Sequence, residues 1–240
     1  VSIRKWRVIG AGLVAAATGV GSGDLVATMV AGANYGYALL WATIVGAIMK
    51  LVLVEGVGRY TLATGDTIFH GWRSLGRWTL WYFTPYIVIW GFVYGAAAMS
   101  ASAMAPAAVF GGDLGWWAIG MGLLGFLLTW FGRYRVIERI MAVLVGIMFV
   151  TVVGIATLTL GDISAIVRGL IPTVPEGSLV YVLGLAGGVG GSITLASYGY
   201  WLREKGWDSP KWMSVMRLDN SMAYIVTGIF VIAMLLVGAN

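Results

Sequence analysis

Apolar residues in this chain come in long runs, and the polar residues that separate them are confined to short connections. Runs near residues 8–33, 36–58, 79–103, 115–131, 136–160, 180–201 and 217–240 approach or exceed the ~20 residues that a helix needs to cross a bilayer. The pattern predicts about seven transmembrane helices in an all-α integral membrane fold. Aromatic residues gather near the ends of the runs, as in Trp78, Trp81, Tyr82 and Trp116, Trp117, where interfacial belts form.

Composition agrees with this reading: 60% of the residues are hydrophobic and 10% charged, against roughly 25% charged in soluble domains. The net charge of +5 is informative by position, and it is not a nucleic-acid signal. Arg4, Lys5, Arg7, Arg59, Arg73, Arg77, Arg133, Arg135, Arg139, Arg203, Lys205, Lys211 and Arg217, thirteen of the fifteen Lys and Arg, fall at the N-terminus or in every second connection. Positive charge held on one side marks that side as cytoplasmic. The expectation is a multi-pass protein of the plasma (inner) membrane with its N-terminus inside and bilayer lipid as its surroundings. The basic start followed by an apolar run has the form of a signal peptide, but further spans follow it, so it is read as the first helix. The last run reaches Gly238-Ala239-Asn240 with no tail, which reads as a chain truncated at its C-terminus within a single transmembrane domain, 1–240. With no cysteine, disulfides and thiolate metal sites are excluded.

Two runs are interrupted. The first contains Gly19, Gly21, Ser22, Gly23 and Asp24; the sixth contains Gly184, Gly187, Gly188, Gly190, Gly191 and Ser192. Each glycine costs up to ~1 kcal/mol of helix propensity relative to alanine, so a helix is expected to break at both places. Open backbone at membrane depth is tolerated only where protein or a water-filled cavity satisfies it. Gly19 with Gly23 and Gly187 with Gly191 also fit small-xxx-small helix packing. Asp24 favours a site over packing, because an ionisable residue inside a span costs at least ~2.5 kcal/mol. It stands where a half-helix LVATMV would begin, in the position of an N-cap. Broken first and sixth helices, separated by four continuous ones, fit an inverted repeat of five: a first repeat over about 8–160 and the start of a second over about 180–240.

The run GSGDLVATMVAGANYGYALLW, residues 21 to 41, with VGRYTLATGDT, residues 57 to 67, resembles the Nramp family of divalent-metal transporters. The likeness is strongest over about the first 70 residues, and the glycine-rich sixth span adds to it. It implies a LeuT-type (APC-like) inverted-repeat fold, of which this chain supplies about seven helices, and transport of a divalent cation with no cofactor and no enzymatic activity. The family's first-helix Asp-Pro-Gly-Asn falls on Gly21-Ser22-Gly23-Asp24. Its sixth-helix carbonyl position falls on Gly188, its methionine ligand on Gly191 and the following histidine on Ile193. The third span has no Asp or Glu from Tyr82 to Phe110, where the family carries acidic residues linked to proton movement. Losing a thioether disfavours soft metals, and oxygen ligands suit hard ions such as Mg or Mn. The resemblance thus implies a magnesium-transporter-like branch with weak or absent proton coupling. Asp24 is its anionic ligand, the carbonyls of Gly21, Gly188 and Gly191 stand around it, and Ser22, Ser192 and Thr194 are hydroxyl candidates.

Other residues are read locally. Lys50, deep in the second span, should pair with Glu55 or Asp24 or serve in coupling. Glu55 and Arg59, four apart, form an ordinary ion pair. His70, the single histidine, lies in a basic connection and cannot build a zinc site alone. Arg133, Arg135 and Arg139 are a topology signal that meets anionic lipid. Two other readings remain open at this level. One is a carrier of another small solute such as an amino acid; the other is an intramembrane enzyme with Ser22 or Ser192 activated by Lys50.

Overall fold

Where the pattern runs apolar the chain is helical, and glycine marks most of its turns. The computed structural model describes residues 22–131, 134–188 and 192–240, with backbone alone for 22–24, 134–139, 141–142, Ser192 and Thr194. The described helices are α1 (Ser22–Tyr35), α2 (Leu40–Thr64), α3 (Ile68–Ser74), α4 (Trp78–Phe110), α5 (Leu114–Phe131), α6 (Tyr134–Leu158), α7 (Ile163–Arg168), α8 (Leu179–Gly188), α9 (Ser192–Glu204) and α10 (Met213–Ala239), with 3-10 turns at Gly36–Leu39 and Pro210–Trp212.

Among the described residues four segments are long and apolar enough to cross a membrane: Leu25–Thr64, which holds α1 and α2, then Trp78–Phe110, Leu114–Phe131 and Pro210–Ala239. Val143–Leu158 and Leu179–Gly188 are apolar but shorter. The predicted spans differ from the helices mainly at their ends, because side-chain polarity does not stop a helix at the bilayer surface. The second span, for instance, continues as helix to Thr64, where Gly65 at φ 75° supplies the left-handed C-cap that a side chain would resist. The connection holding His70 is not a plain loop but includes α3.

Helix α10 is the centre of the bundle. It packs on α1, α2 and α6, while α2 also receives α8 and α9. Its buried face runs Met216, Asp219, Asn220, Ala223, Tyr224, Thr227, Gly228, Val231, the three-and-four spacing of one helical side. By contrast α4 and α5 pack chiefly on each other at the edge, and Trp81, Phe92, Trp116 and Phe131 are left exposed, as lipid-facing residues would be. Opposite the basic side, the loop after α7 closes over the Gly36–Leu39 turn, where Trp41 donates its amide to the Gly169 carbonyl at 3.0 Å and its indole to the Thr173 carbonyl at 2.9 Å.

Candidate functional site

Helices α1, α8 and α9 flank the interrupted stretches, and α1 packs on α8. Tyr35 at the end of α1 packs edge-on against Tyr181 near the start of α8, with ring centroids 5.4 Å apart, and Asn34 reaches the same tyrosine hydroxyl. From that contact α1 runs backward to Ser22 while α8 runs forward to Gly188, so the N-terminal end of α1 and the C-terminal end of α8 lie on the same side of it. The third end is the start of α9. Tyr198 and Gly199 of α9 lie against Gly58 and Thr61 of α2: a Cβ on Gly58 would meet the Tyr198 ring at 3.1 Å, and one on Gly199 would meet Thr61 Oγ1 at 2.6 Å. Six residues back, a rise of ~9 Å, Ser192 comes within a helical turn of the level of Lys50.

The sequence-predicted residues fare unevenly. Gly188 is the last residue of α8 and Ser192 the first of α9; Gly190 and Gly191 between them, and Gly19 and Gly21, lie outside the described residues. Ser22 and Asp24 have helical backbone in α1, so Asp24 stands inside the helix and is not its N-cap, a correction to the sequence reading. The Asp24, Ser22, Ser192 and Thr194 side chains lie outside the described residues. Thr28, one turn beyond Asp24, is 1% exposed, so α1 at this height is enclosed by protein.

Lys50 is buried, 4% exposed. Glu55, one of its expected partners, is taken by two arginines: Arg59 at 2.5 Å, as the four-residue spacing predicts, and Arg217 of α10 at 2.9 Å. A second set of polar contacts ties α9 to the far end of α2. Arg203 donates to the Gly65 carbonyl and lies 3.7 Å from Asp66, which also pairs with His70 at 3.2 Å. Asp219, Asn220, Tyr198 and Thr61 are buried polar residues that sequence reasoning passed over. For Asp219 and Asn220 the signal was the spacing of polar residues along one face of α10, hidden because Arg217 beside them reads as a membrane boundary.

A bundle of several apolar helices long enough to cross a bilayer is the architecture of an integral membrane protein. The comparisons make this specific. The sequence model of the Nramp family, described as natural resistance-associated macrophage protein-like, matches residues 12–240, and this chain belongs to that family. It is 29% identical over 201 residues to the divalent metal cation transporter MntH of Chromohalobacter salexigens, covering 80% of this chain and 46% of the relative. To MntH of Klebsiella pneumoniae it is 26% identical over 194 residues, covering 78% and 46%. The chain therefore spans about half the length of the curated relatives it matches. Among solved structures it superposes on the manganese transporter of Eremococcus coleocola, in a histidine-to-alanine mutant form, with a TM-score of 0.72 at 16% identity, covering 99% of this chain and 52% of that one. A second structure of that transporter, in complex with an aromatic bis-isothiourea substituted compound, gives 0.69 at 18% identity, covering 97% and 51%. These likenesses carry the fold. Membership in a transporter family sets aside the intramembrane-enzyme reading.

Proposed function

We propose that this chain forms the ion-binding half of a secondary transporter that moves a divalent metal cation, Mg or Mn, across the membrane by alternating access. The observation that carries the reading is membership in the Nramp family, supported by the packing of α8 on α1, the helix that bears Asp24. Asp24 is the anionic ligand, and the carbonyls of Gly21, Gly188 and Gly191 with the hydroxyls of Ser22, Ser192 and Thr194 complete an all-oxygen set. Glycine at the soft-ligand position leaves room for retained water, which Mg surrenders reluctantly. The interrupted first and sixth spans then belong to a five-helix inverted repeat. The basic face, which carries Arg59, Arg203 and Arg217, is cytoplasmic by the positive-inside rule.

Proton coupling is weak or absent in this reading, since α4 has no Asp or Glu between Tyr82 and Phe110. The test is uptake by the full-length protein in proteoliposomes. Asp24→Ala should abolish Mg and Mn uptake, and unchanged uptake overturns the site. A pH-sensitive dye inside the vesicles should register little acidification during metal entry; strong acidification overturns the coupling assignment.

A further inference from the structure

The start of α4 carries a groove that the metal pocket does not use. It measures about 820 Å³, and its lining includes Arg77, Leu80, Trp81, Pro85, Val88 and Ile89. That volume is in the range of ligand-sized pockets, although one side of one helix supplies the walls. Pro85 stands inside the helix, where it has no amide hydrogen to donate and its ring crowds the Trp81 carbonyl, the usual cause of a bend.

The chemistry is graded along the groove. Arg77 lies at its mouth and is the one charged residue in its lining. Among the described residues neither Arg77 nor Arg73, exposed at the end of α3, has an ion pair. The one carboxylate in the connection from α2 to α4, Asp66, is held by His70 and Arg203. One turn further in, Trp81 is 82% exposed, and an indole with a polar edge suits the headgroup level of a membrane. Beyond it Leu80, Val88 and Ile89 are exposed and apolar. From Arg77 to Ile89 the helix rises ~18 Å, against ~20–22 Å for half of a bilayer with its headgroups. The groove is about as long as one leaflet is deep.

We propose that this groove binds one acidic phospholipid of the leaflet on the basic side, with the phosphate on Arg77, the glycerol region beside Trp81 and an acyl chain along Leu80, Val88 and Ile89. Charge complementarity selects this occupant. The planar guanidinium can take two phosphate oxygens at once, and no acidic side chain in the lining competes with them. A zwitterionic lipid would make the same apolar contacts, but its own cation would face Arg73 and Arg77. A helix from elsewhere in the protein could cover the apolar stripe, but it would have to bring an acid to Arg77, whereas the lipid carries its phosphate with it. The assignment rests on the membrane reading of the chain and not on metal transport.

The test is photo-crosslinking of the full-length protein in phosphatidylcholine nanodiscs. Phosphatidylglycerol with a diazirine in mid-chain is compared with phosphatidylcholine bearing the same chain at the same mole fraction, and adducts are mapped by mass spectrometry. The glycerol-to-choline adduct ratio at residues 77–89 should exceed that on α5, the neighbouring exposed helix, by about fivefold, the preference that one arginine near the surface gives. Arg77→Gln should bring the ratio down to that of α5, Arg77→Lys should keep most of it, and Arg135→Gln at the start of α6 should leave it unchanged. Equal ratios at 77–89 and on α5 in wild type would make this ordinary boundary lipid and overturn the proposal. A ratio unaffected by Arg77→Gln overturns it too, as does labelling of α5 by both lipids with none at 77–89, which would mean that another part of the protein or a second copy covers the groove. None of these outcomes bears on Asp24, because neither metal binding nor transport is measured.

Discussion

Gly238 of α10 stands against the Met29 carbonyl of α1 so closely that a Cβ at Gly238 would overlap that oxygen, and a Cβ at Gly32 would overlap the Leu235 carbonyl in return. Backbone meets backbone at this crossing, as small residues permit between membrane helices. Gly238→Ala and Gly32→Ala should therefore each cost about 1–3 kcal/mol, the range for forced overpacking, read as a lowered melting temperature of the full-length protein in detergent. Gly58→Ala should cost less, because its nearest neighbour is Met216 Sδ at 2.8 Å, part of a flexible side chain that can shift. Equal losses at all three positions would contradict this account.

Removing the charge of Lys50 tests its place near the ion pocket. A fixed cation at about the level of the α9 start opposes a divalent ion bound there by Coulomb repulsion that low dielectric strengthens. Lys50→Met is expected to raise apparent Mg and Mn affinity by roughly tenfold, about 1.4 kcal/mol, measured by calorimetry on the full-length protein. An unchanged or weakened affinity would place Lys50 outside the field of the site.

Glu55 joins α2 to α10 through Arg217 while also holding Arg59. Both arginine side chains are about half exposed, 53% and 50%, so each pair is worth at most ~1 kcal/mol after screening. Glu55→Gln should lower stability only slightly, and salt should erase the difference from wild type. A loss that persists at high salt would mean that the packing of the side chain matters more than its charge.

At the opposite face Asp162 caps α7, accepting from the Ser164 amide and hydroxyl, both at 2.8 Å. The Ser164 hydroxyl chiefly, then its amide, with Arg168 adding, holds the Asp162 carboxyl below the usual carboxylate range. A depressed folded value means the cap is fully effective above the ordinary carboxylate pKa and is lost as pH falls through the lowered one. Asp162→Ala should speed amide exchange at Ser164–Ile166 at neutral pH, whereas wild type should do so only in strong acid.

Much of the architecture was legible because lipid imposes it. Long apolar runs and the Glu55–Arg59 spacing each follow from local chemistry, and the described helices and ion pair agree with them. The interruption expected in the sixth run falls on residues 189–191, outside the described residues, between α8 and α9. Tertiary pairings were not legible. Glu55 meets Arg217, 162 residues away, because the meeting of α2 with α10 is a property of packing and not of spacing. Asp219 went unnoticed for the same reason: only the neighbouring helices reveal that it is enclosed. Asp24 as N-cap failed because a helix can begin before the residue best suited to cap it.

The grip of Arg203 on the Gly65 carbonyl has a mechanical side. It anchors one tip of α9 to the corner where α2 ends, so any reorientation of α9 becomes rotation about that anchor. Between Arg203 and Ser192 lie eleven residue steps, a lever of about 17 Å at helical rise. A swing of about 10° would then carry Ser192 through an arc of about 3 Å, comparable to the diameter of a water molecule, while the pivot itself scarcely moves.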